Sequence, residues 1–182
     1  VFRYLRHAMM VKLGANGNVF SYNYSREVNR SELVSDWSGD ISLHGHYSYS
    51  NLFEGNMVLQ IMIDHYWGPS GPHNTIFRNW ARNYGIIFRP GNPGKTNDQH
   101  IVGNDVTYNG LWWMGGPYDI TGTGHIEHGN NIDGTITPSG TGTLNDTSFY
   151  LTAEPSFWDV ADSWPSIGIP YTLGSGNIPA KA

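Results

Sequence analysis

A chain of 182 residues is about one domain's worth of polypeptide, and 23 glycines beside only 14% charged residues suit a turn-rich β protein. The formal charge of −5 offers no basic field for nucleic acid, and no apolar run reaches the roughly 18 residues that a membrane-crossing helix needs. With no cysteine, disulfide stapling and a thiol nucleophile are both excluded.

Residues 1–5 (VFRYL) read as the middle of a strand with no cap in front. An open solenoid end exposes apolar surface and unpaired edges, so Val1 is expected to be a processed or truncated end with further N-terminal coils before it. Residues 7–13 (HAMMVKL) read as a strand closing a coil, and Gly14-Ala15-Asn16-Gly17 turns the chain into the first of five related segments. These are NVFSYNY (18–24), NLFEGNM (51–57), NTIFRNW (74–80), QHIVGND (99–105) and HIEHGNN (125–131). Their sixth residues are Asn23, Asn56, Asn79, Asn104 and Asn130, at spacings of 33, 23, 25 and 26 residues, a range that signals stacked repeats.

Three residues before these asparagines stand Phe20, Phe53, Ile76 and Ile101, and two residues after stand Ser25, Val58, Ala81, Val106 and Ile132. Both columns are apolar or small, as side chains pointing into a shared narrow core should be; Glu127 breaks the first column in the fifth copy. An asparagine at a corner tolerates the left-handed backbone region and can pass hydrogen bonds up a stack. Gly55, Gly103 and Gly129, each just ahead of an asparagine, relax the backbone there.

Residues 26–50 depart from the repeat and read as an insertion, which accounts for the first spacing. Apolar bursts at Ile61-Met62-Ile63 and Ile86-Ile87-Phe88 give each turn of chain two or three very short strands. Loops at 64–73, 89–98 and 109–123 leave at comparable points, and with strands about 4.8 Å apart they are expected side by side along one edge. Residues 134–143 read as a last slack coil or hairpin, and the aromatic-rich tail as an extended strap over the C-terminal end or one flank. The fold expected is all-β: a single-stranded right-handed parallel β-helix of about five coils over residues 1–144, closed by a capping strap over 145–182.

The runs HYSYSNLFEGN (46–56), GPHNTIFRNWA (71–81), IVGNDV (101–106), WPSIG (164–168) and NIPAK (177–181) resemble the pectate-lyase-like group of secreted bacterial right-handed β-helix proteins. The resemblance covers most of the chain and implies an extracellular or cell-surface location. Because this scaffold hosts lyases, hydrolases, adhesins and fibre proteins alike, function has to be read from the site.

Two constellations offer chemistry. His44 and His46, alternate residues of a strand, could present two imidazoles to one metal, with Asp64 and His65 one coil later; the alternative is that these histidines bond loop backbone. Tyr66, Trp67, Trp112 and Trp113 on the edge loops, with Arg89 and Lys95 between them, suit the C–H faces and carboxylates of a uronate polymer; the alternative is plain packing. A lyase reading makes Arg89, Lys95 and Asp64 the catalytic candidates, one cation serving as base, with Asp36, Asp40 and Asp64 as oxygen ligands for a divalent metal such as calcium. Hydrolysis by paired acids would draw on Asp36, Asp40, Glu54 and Asp64. The function expected is a carbohydrate-active module that binds, and in its stronger form cleaves by β-elimination, an acidic polysaccharide. Its rival is a non-catalytic structural or adhesive segment of a surface protein.

Overall fold

Three-residue apolar runs interrupted by Gly, Asn and Pro favour very short strands, and most here have two to four residues, but Met57–Asp64 and Trp80–Phe88 run to eight and nine, longer than the sequence reading expected. The computed structural model describes residues 1–27, 39–89, 95–108 and 116–181, and among them there is no helix. The strands are β1 (Phe2–Arg3), β2 (Met9–Val11), β3 (Val19–Ser21), β4 (Ser25–Arg26), β5 (Ile41–His44), β6 (Leu52–Glu54), β7 (Met57–Asp64), β8 (Thr75–Phe77), β9 (Trp80–Phe88), β10 (His100–Val102), β11 (Asp105–Val106), β12 (Tyr118–Asp119), β13 (Ile126–His128), β14 (Asn130–Ile132) and β15 (Thr135–Thr137).

Pairing is predominantly parallel. One sheet runs β3-β6-β8-β10-β13; a second runs β2-β5-β7-β9-β11-β14 and ends in the antiparallel hairpin β14–β15, with β12 beside β9; β1 pairs with β4. The register aligns Phe20, Phe53, Ile76, Ile101 and Glu127 in one column and Val58, Ala81, Val106 and Ile132 in another, both as the repeat requires. Further columns Ile41-Ile61-Ile86 and Leu43-Ile63-Phe88 join them in a single apolar core. Glu127 keeps its place because its carboxylate accepts the Tyr118 hydroxyl at 2.6 Å.

Two findings correct the sequence reading. Residues 26–50 are not wholly an insertion, since β5 lies within them and pairs in register with both β2 and β7. Nor do the corner asparagines adopt the left-handed region; the residue before each does. Tyr22, Gly55, Arg78, Gly103 and Gly129 have φ from 49° to 66°, and a second column, Gly17, Ser50, His73, Asp98 and Gly124, has φ from 51° to 72°. Each short strand of the first sheet therefore lies between two left-handed corners.

Behind each corner runs a ladder of amides. The backbone N–H and Nδ2 of Asn23 donate to Asn56 Oδ1, those of Asn56 to Asn79, of Asn79 to Asn104 and of Asn104 to Asn130, at 2.9–3.1 Å. Five residues upstream a second ladder runs Asn18, Asn51, Asn74, Gln99 and His125, whose imidazole Nδ1 takes the last backbone N–H at 3.1 Å. Spare Nδ2 protons reach backbone carbonyls, as from Asn79 to Phe53 and from Asn104 to Ile76. A buried amide left unpaired costs roughly 1–3 kcal/mol, so these ladders hold the stack in one register.

The tail from 141 onward follows the corner column. Thr141 meets Gly129, Leu144 meets Gly103, Asp146 meets Arg78, and Ser148 and the Phe149 N–H meet the Glu54 carboxylate. Phe157 and Trp158 pack edge-on against Tyr22, and the chain then returns past Ile167, Ile169 and Gly174. It covers a flank rather than an end. Arg78, buried to 2% exposure, spans both passes by donating to the carbonyls of Asp146, Ile167 and Ile169 at 2.7–3.0 Å. Under the returning pass Asp105 accepts the Gly174 N–H at 3.3 Å, and burial pushes its carboxyl up to about 6.

Replacing Asn79 by Ala removes an acceptor from Asn56 and donors to Asn104 and Phe53; urea unfolding should show a loss of about 2–4 kcal/mol, against less than about 1 kcal/mol for Asn18→Ala at the exposed end. Asp105 holds its proton more tightly folded than unfolded, so stability should fall as pH rises from about 4 to about 6 and level off above. Asp105→Asn should flatten that slope and gain roughly 1–3 kcal/mol at pH 7, read from unfolding midpoints across pH.

Candidate functional site

Leu43 and Ile63 face the core, so the residues that follow them, His44 and Asp64, face outward at the same end of the sheet as a register pair. The buried Asp64 accepts His44 Nδ1–H at 2.5 Å through Oδ2 and the Tyr66 N–H at 3.0 Å through Oδ1. The Trp67 indole N–H donates to His44 Nε2 at 3.0 Å. Tyr66 meets Trp67 edge to face at 4.8 Å, yet the two remain 58% and 52% exposed.

Beyond His44 the chain makes three left-handed steps in succession, Gly45, His46 and Tyr47. The two non-glycine steps each cost on the order of 1–3 kcal/mol and are held by their surroundings. Tyr47 N–H donates to Pro69 O at 3.0 Å, and a Cβ on Gly45 would stand 2.5 Å from Gly68 O, so loops 44–50 and 65–73 lie directly against each other. Gly71 leaves space for the Tyr47 and Tyr49 rings, which pack 6.0 Å apart. Ser70 N–H donates to Thr96 Oγ1 at 3.1 Å, which ties in the third loop. The side-by-side edge expected of the loops is present among the described residues. Between Tyr47, Pro69 and Pro72 on one side and Lys95, Asn97 and Asp98 on the other lies an open cleft of ≈ 250 Å³.

The structure sorts the candidate residues. Tyr66 and Trp67 form an exposed aromatic pair, and Lys95 lines the neighbouring cleft. Trp112, Trp113 and Asp36 lie outside the described residues. The metal set does not assemble: both nitrogens of His44 are engaged, His65 turns inward to Thr96 Oγ1 at 3.2 Å, and His46 lies within the left-handed turn beside Trp67. Burial lowers the pKa of His65. Among the described residues no three His, Cys, Asp or Glu side chains are placed to hold a metal.

The catalytic set is likewise separated. The cleft is lined by Lys95 but by neither Asp64 nor Arg89, whose N–H extends the β7–β9 pairing by donating to Ile63 O. Asp40 accepts Ser25 Oγ–H and the Leu59 and Gln60 N–H groups where β7 bulges. Glu54 accepts the Tyr22 hydroxyl, Ser148 and the Phe149 N–H. Of the acids considered for hydrolysis or calcium, Asp40 and Glu54 therefore serve the fold.

Sequence reasoning missed Tyr47, Asn97 and Asp98 in the cleft and the Trp67–His44 contact. One signal was available: reading each repeat a residue further upstream exposes the column Gly17, Ser50, His73, Asp98 and Gly124, which marks where each edge loop returns to the sheet. Compared with protein families, curated proteins and solved structures, the chain matches none. No helix among the described residues is long and apolar enough to cross a membrane.

Proposed function

We propose that the chain winds as a right-handed single-stranded parallel β-helix of about five coils, acts outside the cell or on its surface, and binds an acidic polysaccharide along its loop edge. The winding is supported by the order of pairing, since the five-stranded sheet takes one strand from each repeat in sequence and the parallel path of the second sheet from β2 to β14 also follows chain order. This is the architecture that the pectate-lyase-like resemblance implies. The observation that carries the function is the exposed Tyr66–Trp67 pair, on the same loop as Pro69, where the cleft lined by Lys95 begins: a flat aromatic face suits the C–H face of a pyranose, and an ammonium group suits its carboxylate.

The reading is of binding without cleavage. Asp40, Glu54 and Asp64 are occupied by partners within the chain, and Arg89 does not line the cleft. A structural or adhesive role is the second reading, favoured by the edge of β3, unshared among the described residues, where Val19 and, just upstream, Leu13 are exposed and further coils could stack.

The test is titration of the intact chain with uronate-containing polysaccharides, following tryptophan fluorescence for binding and ultraviolet absorbance for unsaturated product. Saturable fluorescence change with flat absorbance is expected. Trp67→Ala should weaken binding about tenfold, the equivalent of roughly 1.4 kcal/mol, and Lys95→Ala should weaken it most at low salt. New absorbance would show a lyase; silence in both channels from folded protein would leave the structural reading.

A further inference from the structure

We propose that Asp64 and His44 form a positioning device that presents Trp67 as a rigid stacking platform; the ligand role of that platform rests on the reading above. An indole N–H can only donate, so His44 Nε2 must carry a lone pair, and the single imidazole proton sits on Nδ1, where Asp64 Oδ2 accepts it at 2.5 Å. The donor–acceptor chain therefore runs in one direction, from Trp67 through His44 to Asp64. With Nε2 facing the indole, His44 is not placed to take a substrate proton or a metal.

Asp64 acts at two points. Its other oxygen accepts the Tyr66 N–H at 3.0 Å, fixing the backbone one residue before the tryptophan, while the imidazole fixes the far end of the indole. Asp64 is fully buried and so cannot swing away from either task. The Tyr66 ring lies nearly parallel to His44 at 6.3 Å and edge-on to Trp67 at 4.8 Å, and the His7 ring stands 6.5 Å from His44 with its own Nδ1 on Gly39 O. An exposed tryptophan without such contacts would sample several rotamers, and a ligand would have to order it. Holding it in advance lessens that entropic loss and should tighten binding by roughly three- to tenfold.

The experiment uses the full-length chain, ¹⁵N-labelled, with the Trp67 indole N–H resonance assigned by its absence in Trp67→Phe. In the wild type this proton should exchange slowly with solvent. His44→Leu should make its exchange fast and weaken binding to polygalacturonate roughly three- to tenfold, whereas His44→Gln, which offers an oxygen acceptor, should restore most of both. Trp67→Phe keeps an aromatic face but removes the donor; it should lose about the same affinity, and the double variant His44→Leu/Trp67→Phe should lose little more. Unchanged indole exchange in His44→Leu, or an undiminished affinity in Trp67→Phe, overturns the proposal. If the wild type shows slow exchange that depends on His44 but binds no polysaccharide, the positioning device stands and the binding reading fails.

Discussion

The structure depends on two ladders of buried amides that bracket every strand of the five-stranded sheet. A short strand of three residues gives few backbone hydrogen bonds and little apolar burial, so alone it would not hold a register. The ladders supply what it lacks. Each asparagine offers two donors and an acceptor at a fixed distance from a left-handed corner, and a slip of one residue would unpair the amides and turn Phe53 and Ile76 away from the core. Because register is fixed at the corners, the edge loops between repeats can differ in length and composition without disturbing the stack.

That same corner column binds the tail. Glycine is the least strained choice for φ near +60°, and three of the five corners use it; Tyr22 and Arg78 take the same geometry at a cost of roughly 1–2 kcal/mol each. The gain lies in their side chains, which point out to the flank. Tyr22 links Glu54 and the Trp164 indole N–H, and Arg78 gathers carbonyls from both passes of the tail. The glycine corners serve in a complementary way, for a side chain on Gly103 would collide with Leu144. One column thus alternates between sites that admit the tail closely and sites that grip it.

Much of this was legible in the sequence. The asparagine spacing located one ladder and both inward columns, because core packing and amide pairing demand specific residue types at fixed offsets. The second ladder was harder to see: its last two members are Gln99 and His125, which share hydrogen-bonding capacity with asparagine but not its identity. Arg78 was invisible as a clamp because its partners are carbonyls 66 to 91 residues away, and a carbonyl leaves no mark in a sequence. At the site, the expected alternation of His44 and His46 along one strand does not hold, because the strand ends at His44 and the chain turns left-handed at Gly45 and His46; Asp64 does lie one repeat on, as the register partner of His44. What they do there turned on the direction of one indole N–H, which no pattern of residue types encodes.

The fate of the carboxylates bears most directly on function. An acid that works on a substrate must be free to exchange a proton or a ligand with it, whereas an acid that stabilises a fold must be saturated. Asp40 takes the amides of a bulge, Glu54 holds the tail, Glu127 takes a buried tyrosine hydroxyl, and Asp64 takes the imidazole that fixes Trp67. With these acids engaged by partners within the chain, the loop edge presents the Tyr66 and Trp67 faces and, in the cleft, Lys95, Asn97 and Asp98, the groups on which the proposed binding rests. On the proposed binding, such an edge would gain affinity by repetition, since successive loops about 4.8 Å apart could each contribute a weak contact to the same extended chain. The regular ladders set that spacing, so the interaction that orders the core also sets the pitch at which the edge can be read.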